Sequence, residues 1–429
     1  MESFVIEGTG KPLGGEITVS GNKNAILPMI AAALLTEEEV VLHNVPNIID
    51  VNIMLQIAES LGTEVIRENT TLKLKTTKIS NNALSRENCT KIRTSLLFTG
   101  PLIIRTGKAI IWPPGGDVIG RRRLDAHFYG LNAMGAKITS ESIPYKFETN
   151  GKLQGKDLFF DEASVTATEH IMMTAALAEG QTIIRNAAAE PHVFDLGELL
   201  IKMGAKITGL GTNTITIDGV EKLNGTEHTV VGDHIEAGSF LSLAAATGGE
   251  IKINGTLPRH FWMTRRVLER FGIKFVLNPN HIFMAGEQEL AIKPDFGNAI
   301  PIISDGTWPQ YPSDMMSCTI VMATQAKGTV LFFEKMFESR IYFVDKLISM
   351  GANAVVCDPH RVVISGPAKL RGTEVSSPDI RSGMALVIAA LCAKGKSIIQ
   401  NTDVISRGYE NIEEKIKMLG GKISVKSGQ

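Results

Sequence analysis

The residues in this chain best placed to do chemistry lie in 112–127, which reads W-P-P-G-G-D-V-I-G-R-R-R-L-D-A-H. Pro113 and Pro114 bar helix and interior strand. Gly115 and Gly116 open backbone angles that other residues avoid. The stretch therefore reads as a loop with one carboxylate, Asp117, at its tip and an anion-binding cluster, Arg121, Arg122 and Arg123, at its base. A carboxyl group on a loop can deliver a proton, and adjacent guanidinium groups can grip phosphate or carboxylate by bidentate hydrogen bonds.

A second set of charged groups recurs at the starts of buried helices. These starts read Gly21-Asn22-Lys23-Asn24, Thr90-Lys91-Ile92-Arg93, Ser164-Val165-Thr166, Asp233-His234-Ile235-Glu236, Ser313-Asp314-Met315 and Asp379-Ile380-Arg381. Ser, Thr and Asp are ordinary N-caps. Lys23, Lys91, Arg93 and Arg381 are not explained by capping, since a cation in a first helical turn opposes the helix dipole. They fit there if an anion sits with them. Arg340, after Phe337-Glu338-Ser339, and Arg407, in Ser406-Arg407-Gly408-Tyr409, would extend the same anion site.

The elements that must position these groups repeat. The glycines of Leu61-Gly62-Thr63, Met134-Gly135-Ala136, Met203-Gly204-Ala205, Phe271-Gly272-Ile273, Met350-Gly351-Ala352 and Leu419-Gly420-Gly421 are 73, 69, 68, 79 and 69 residues apart. Each phrase reads as the C-cap of an amphipathic helix followed by a strand. Upstream of each lies a β-branched run, such as Val40-Val41-Leu42 or Thr182-Ile183-Ile184. Before that run comes an apolar, Ala-rich helix, as at 25–35, 171–178 and 384–393, apolar nearly all round and so expected to be buried. Six such units of about 70 residues are expected.

The sixth unit stops early, and the first twenty residues resemble its missing piece: Phe4-Val5-Ile6-Glu7-Gly8 and Ile17-Thr18-Val19-Ser20-Gly21 match Thr214–Gly219 and Thr229–Asp233. The chain is thus expected to begin in mid-repeat, with residues 1–21 completing the last unit. This predicts an α/β protein of two domains with three repeats each. One is continuous, 22–231, and carries the Asp117 loop; the other is 1–21 plus 232–429. Two crossings near Gly21 and Gly232 predict a closable cleft between them.

The 429 residues carry a net charge of −1 and are 44% apolar. That balance argues against nucleic acid as a partner. Cys89, Cys318, Cys357 and Cys392 form no ligand pattern, which suits a reducing cytoplasm and points to no metal. No apolar run reaches membrane-spanning length and no signal peptide is visible. His127, His170 and His192 read as packing or surface residues rather than ligands.

Gly21-Asn22-Lys23-Asn24-Ala25, the 114–125 loop, Pro312-Ser313-Asp314-Met315, Phe337-Glu338-Ser339-Arg340, Asp379-Ile380-Arg381-Ser382 and Arg407-Gly408-Tyr409 together resemble the enolpyruvyl transferases, on the branch acting on an amino-sugar nucleotide. The likeness covers essentially the whole chain. It implies the inside-out α/β barrel, six βαβαββ units in two domains. It also implies an addition–elimination that joins the enolpyruvyl group of phosphoenolpyruvate to the 3-hydroxyl of UDP-N-acetylglucosamine, at the start of peptidoglycan synthesis. No metal or organic cofactor is implied.

By position, Asp314 would accept the hydroxyl proton, and Lys23, Arg122 and Arg407 would hold the phosphate. Arg340 and Arg381 would help hold the carboxylate and orient the site, and Phe337 would be among the substrate-binding residues. Asn24 would touch the sugar and Arg93 the diphosphate. Arg122, Arg123, Leu124 and Asp125, with Ser164, Val165 and Thr166, match the segments that hold uridine and diphosphate.

The chain departs from the family pattern at Asp117, where a cysteine is usual, and a carboxylic acid could keep the proton-donating role. That role needs a raised pKa, which burial and neighbouring carboxylates could supply. Further departures are Arg123 for proline, Thr166 for glycine, His234 for arginine and Ser406 for aspartate. Arg123 and Thr166 leave one alternative open, transfer to another nucleotide hydroxyl, such as that of a uridine monophosphate. A non-catalytic phosphosugar-binding protein is a separate alternative, and the presence together of Lys23, Asp314, Arg340, Arg381 and Arg407 speaks against it.

Overall fold

The computed structural model describes residues 2–117, 119–120 and 123–427; Val118, Arg121 and Arg122 lie outside the described residues, and with them the expected role of Arg122. The chain forms two compact units, one of residues 21–116 and 123–231, the other of 2–20, 117, 119–120 and 232–427. Each has its own apolar core.

The first unit is built on three buried helical segments. They are Lys23–Ala32, the 3-10 turn Arg93–Phe98 running into Thr99–Thr106, and Val165–Ala175. Three sheets surround them. Thr226–Thr229 runs parallel to Val40–His43, which continues to Thr71–Lys75 and Glu64–Glu68. Asp157–Phe159 stands in the same relation to Gln181–Arg185. In the remaining sheet the parallel strand is reduced to a single bridge, Ala83 to Ile110.

The other unit repeats the plan around His234–Thr247, Ser313–Gln325 and Ile380–Cys392, which pack on one another. Twelve consecutive residues, Ile380 to Leu391, are buried. That is why this helix is apolar on every side rather than along one stripe. The strands show the complementary pattern. In Thr71–Lys75 only Leu72 and Leu74 are buried, and in Gly328–Phe333 only Val330 and Phe332, so one face of each sheet meets the helices. Helices inside and sheets outside follow from this contrast.

The six-fold phrase is structural. Gly62, Gly135, Gly204, Gly272, Gly351 and Gly420 all have φ between 82° and 106°. Each closes a helix and turns it into the next strand, a left-handed corner that a Cβ disfavours. The N-terminal segment is shared differently from the expectation. Glu2–Gly8 does complete the sixth sheet, lying between Gly395–Gln400 and Lys422–Ser427. Gly15–Thr18, however, joins the fourth sheet, parallel to Ile251–Asn254. A parallel strand needs a crossover connection, and the repeat meets that need by pairing its last strand with another repeat of the same unit.

Asp117, Ile119 and Gly120 group with the second unit rather than with the continuous stretch around them. Asp117 pairs with Arg407, and the Ile119 carbonyl accepts from the Ser339 N–H at 3.3 Å. Among the described residues no helix is long and apolar enough to cross a membrane.

Candidate active site

In the first unit Lys23 opens its helix beside the N-cap Asn22, whose side chain accepts from the Ala25 N–H. The anion that a first-turn cation calls for is Asp50: its Oδ2 lies 2.8 Å from Lys23 Nζ, and both side chains are buried. Asp50 itself sits in the first turn of Ile49–Leu61, where a negative charge is favoured. No local pattern marked Asp50, because it pairs with a residue 27 positions away; its burial is the only signal. Asn24 is half-buried one residue further along.

Lys91 does not open a buried helix. It closes the short helix Arg86–Lys91, capped by Ser85, and pairs with Glu87 at 2.6 Å on the surface. There it suits the helix dipole, so the expected anion role is withdrawn. The true turn begins at Arg93.

Arg93, Arg123 and Asp125 come together. Arg93 Nη2 donates to the Arg123 carbonyl at 2.6 Å. Arg123 Nε donates to Asp125 Oδ2 at 2.9 Å, and that bond raises the guanidinium above its ordinary value. Leu124 precedes the helix Asp125–Ala133. Ser164 caps Val165–Ala175 by accepting from the Ala167 N–H, and Val165 is its first residue.

Beneath this surface lies a buried pair of histidines. His127 Nε2 is 3.0 Å from Thr166 Oγ1, His127 Nδ1 is 3.0 Å from His170 Nδ1, and His170 Nε2 accepts from the Gly100 N–H at 2.9 Å. Burial pushes the His170 imidazole down to about 3. Burial, then His170, then Arg93 hold His127 well below its usual range. Both rings are therefore neutral. Of the two expected placements, packing or surface, they take the interior one, and they are wired together rather than merely packed.

In the second unit Asp314 is clamped. Its Oδ1 lies 3.0 Å from Arg340 Nη1, and its Oδ2 lies 3.0 Å from Arg381 Nη2. Burial opposes the charge on Arg381, yet Asp314, Tyr409 and Asp233 together more than offset it, and the guanidinium ends well above its ordinary value. Arg340 stacks over the Phe337 ring at 4.6 Å and Arg381 over the Tyr409 ring at 5.3 Å. Among the described residues, Arg340 Nε and Arg381 Nη1 are buried without a hydrogen-bond partner, a cost that a binding site for an acid would explain.

A second layer supports the clamp. Arg340 Nη1 donates to Ser313 Oγ, which donates to Glu334 Oε1 at 2.8 Å. Burial first, then Asp305, pushes the Glu334 carboxyl up to about 9. Glu334 therefore holds a proton at neutral pH, and Ser313 bonds to a neutral acid. Nothing in the sequence marked Glu334 or Asp305.

Arg407 Nη1 lies 2.6 Å from Asp117 Oδ1, with both side chains mostly buried. The neighbour here is a guanidinium, not the carboxylates that the acid role of Asp117 was expected to draw on. His234, at the start of its helix, packs its ring against His260 and Trp308.

Comparison with known proteins bears on the family to which the chain belongs. The family described as EPSP synthase (3-phosphoshikimate 1-carboxyvinyltransferase) matches residues 8–416. A UDP-N-acetylglucosamine 1-carboxyvinyltransferase of Borreliella burgdorferi is 52% identical over 423 residues, covering 99% of both chains. One of Treponema denticola is 52% identical over 427 residues, covering 99% of this chain and 100% of its own. One of Bradyrhizobium diazoefficiens is 48% identical over 423 residues, covering 98% and 97%. Among solved structures, the enolpyruvyl transferase NikO from Streptomyces tendae superposes with a TM-score of 0.88 at 18% identity, covering 100% of this chain and 99% of its own. An EPSP synthase from Acinetobacter baumannii gives 0.78 at 20% identity, covering both chains fully. At such identities the two structures speak for the fold alone.

Proposed function

Because the chain belongs to the EPSP synthase family of carboxyvinyl transferases, we propose that it transfers the enolpyruvyl group of phosphoenolpyruvate to the 3-hydroxyl of UDP-N-acetylglucosamine and releases phosphate. The observation that carries this reading is identity of about half the residues, over nearly the whole chain, to relatives named for that activity. The reaction is the first committed step of peptidoglycan synthesis. A cytoplasmic protein is the reading that this reaction and four unpaired cysteines support.

The chemistry needs a base for the sugar hydroxyl, an acid for the methylene carbon and cations for two anionic groups. The oxygen of the 3-hydroxyl bonds to C2 of phosphoenolpyruvate, and its proton passes to Asp314. C3 takes a proton, and Asp117 is the residue we assign to deliver it. The tetrahedral ketal then expels phosphate, and loss of a C3 proton restores the double bond.

Arg340 and Arg381 supply the carboxylate contacts. Their unpartnered buried N–H groups and their shared grip on Asp314 support this assignment. Lys23, Arg122 and Arg407 take the phosphate, and Arg407 also orients Asp117. Asn24 takes the sugar. Arg93, Arg123, Leu124, Asp125, Ser164, Val165 and Thr166 take the nucleotide, a role that the hydrogen-bonded cluster of Arg93, Arg123 and Asp125 supports.

The test is phosphate release from phosphoenolpyruvate with UDP-N-acetylglucosamine as acceptor. Release that disappears in Asp314→Asn supports the reading. Release only with another nucleotide, such as uridine monophosphate, defeats it.

A further inference from the structure

The order of donors and acceptors between Gly100 and Thr166 is fixed by the one member whose role is beyond choice. A backbone N–H can only donate, so His170 Nε2, 2.9 Å from Gly100 N, must accept. A neutral imidazole that accepts at Nε2 carries its proton on Nδ1. His170 Nδ1–H then donates across 3.0 Å to His127 Nδ1, which must accept. His127 in turn carries its proton on Nε2 and donates across 3.0 Å to Thr166 Oγ1. Thr166 receives a hydrogen bond from below, and among the described residues that is its only hydrogen-bond partner. Its own O–H is left to donate.

The relay is built tightly. His127 is 1% exposed and His170 is fully buried. A Cβ added to Gly100 would lie 2.4 Å from Thr174 Oγ1 and 3.0 Å from His170 Cδ2. Only glycine lets the backbone reach the imidazole at this distance. The hydroxyl end sits in the first turn of an 11-residue helix, and the charge of the Arg93 guanidinium is felt at its partner His127. Both surroundings favour an anionic oxygen as the group that receives the Thr166 proton.

We propose that Thr166 is a specificity-determining residue whose hydroxyl is held as an obligate donor by the buried His127–His170 pair, so that it selects an acceptor nucleotide presenting a phosphate oxygen. This deepens the functional reading above and rests on it. His127 and His170 are positioning residues. They touch no substrate and act by setting which way the Thr166 hydroxyl points.

Two measurements test it. The first is steady-state kinetics of Thr166→Val, Thr166→Ser and His170→Leu. Thr166→Val should raise KM for UDP-N-acetylglucosamine about tenfold or more, the scale of one hydrogen bond to a charged group, with KM for phosphoenolpyruvate unchanged. Thr166→Ser should restore it. His170→Leu should reproduce the Val effect with Thr166 intact, because His127 is then free to turn its acceptor nitrogen to the hydroxyl. An active Thr166→Val enzyme with an unchanged nucleotide KM overturns the proposal.

The second is 15N NMR of the histidine rings in the wild-type protein. His170 should be in the Nδ1–H form and His127 in the Nε2–H form; any other pair of tautomers overturns the relay even if a variant fails to fold. If the wild-type protein releases no phosphate with the UDP-sugar, the functional reading falls, and the tautomers alone then decide the relay.

Discussion

Arg381 holds Asp314 through two nitrogens at once: Nη2 lies 3.0 Å and Nε 3.1 Å from the same oxygen, Oδ2. Arg340 takes the opposite oxygen. The carboxylate is thus fixed in direction before any substrate proton reaches it. Asp314→Asn keeps the shape but loses the basic oxygen and leaves two buried guanidinium groups facing a neutral amide. We expect kcat to fall roughly a hundred- to ten-thousand-fold, the range for loss of a general base. Circular dichroism and the thermal midpoint would show whether the fold persists. A variant with near-normal kcat would remove Asp314 from the mechanism.

Asp117 stands where the family usually carries a cysteine, and here it pairs with Arg407. A carboxylate is a poor target for fosfomycin, the epoxide that alkylates that cysteine. The wild-type protein should therefore stay active and unmodified in its presence. Asp117→Cys should retain activity and gain both an adduct mass and time-dependent inactivation. Mass spectrometry of both proteins decides the matter, and an adduct on Asp117 accompanied by inactivation would sink the expectation.

Glu334 gives a pH dependence whose sign can be worked out. Its carboxyl is raised in the folded protein from an ordinary 4.5 to about 9. The folded state thus binds a proton that the unfolded chain releases above 4.5. The stability this provides is complete below 4.5 and is lost as pH rises toward 9, at about 1.4 kcal/mol per pH unit for one such group. Glu334→Gln cannot ionise and can still donate to Asp305. Its denaturant midpoint should change less between pH 7 and 9.5 than that of the wild type; parallel curves would show that Glu334 is not the group responsible.

Lys23 and Asp50 form a buried pair. Removing one member of such a pair leaves an uncompensated charge and costs about 3–5 kcal/mol. Asp50→Asn should lower the urea midpoint accordingly and weaken phosphoenolpyruvate binding by releasing the Lys23 ammonium from its position. Unchanged stability would mean that the ammonium finds another partner.

The repeat, the six glycine corners and the six apolar helices were legible in the sequence, because each is specified locally. A helix end needs a left-handed residue within one turn, and a helix buried on all sides needs an apolar residue at nearly every position. Gly62, Gly420 and the run from Ile380 to Leu391 show both signals plainly. The family was legible for the same reason, since Lys23, Asp314, Arg340, Arg381 and Arg407 sit in short phrases that survive in order.

What the tertiary structure alone decided is who faces whom. Asp117 and Arg407 are 290 positions apart, and no pattern in 112–127 names its partner. Asp50 supplies the charge that Lys23 needs, and Glu334 the buried proton behind Ser313. Lys91 looked like Lys23 in sequence, yet one turn of backbone placed it at a helix end instead of a helix start. The sequence pattern assigned Gly15–Thr18 to the sixth unit, whereas the fold pairs it with the fourth sheet. Local signals act over three or four residues. An ion pair, a proton shared by two acids or a histidine tautomer depends on groups brought together by the whole fold, and burial, which gives these contacts their strength, belongs to the fold and not to any segment of it.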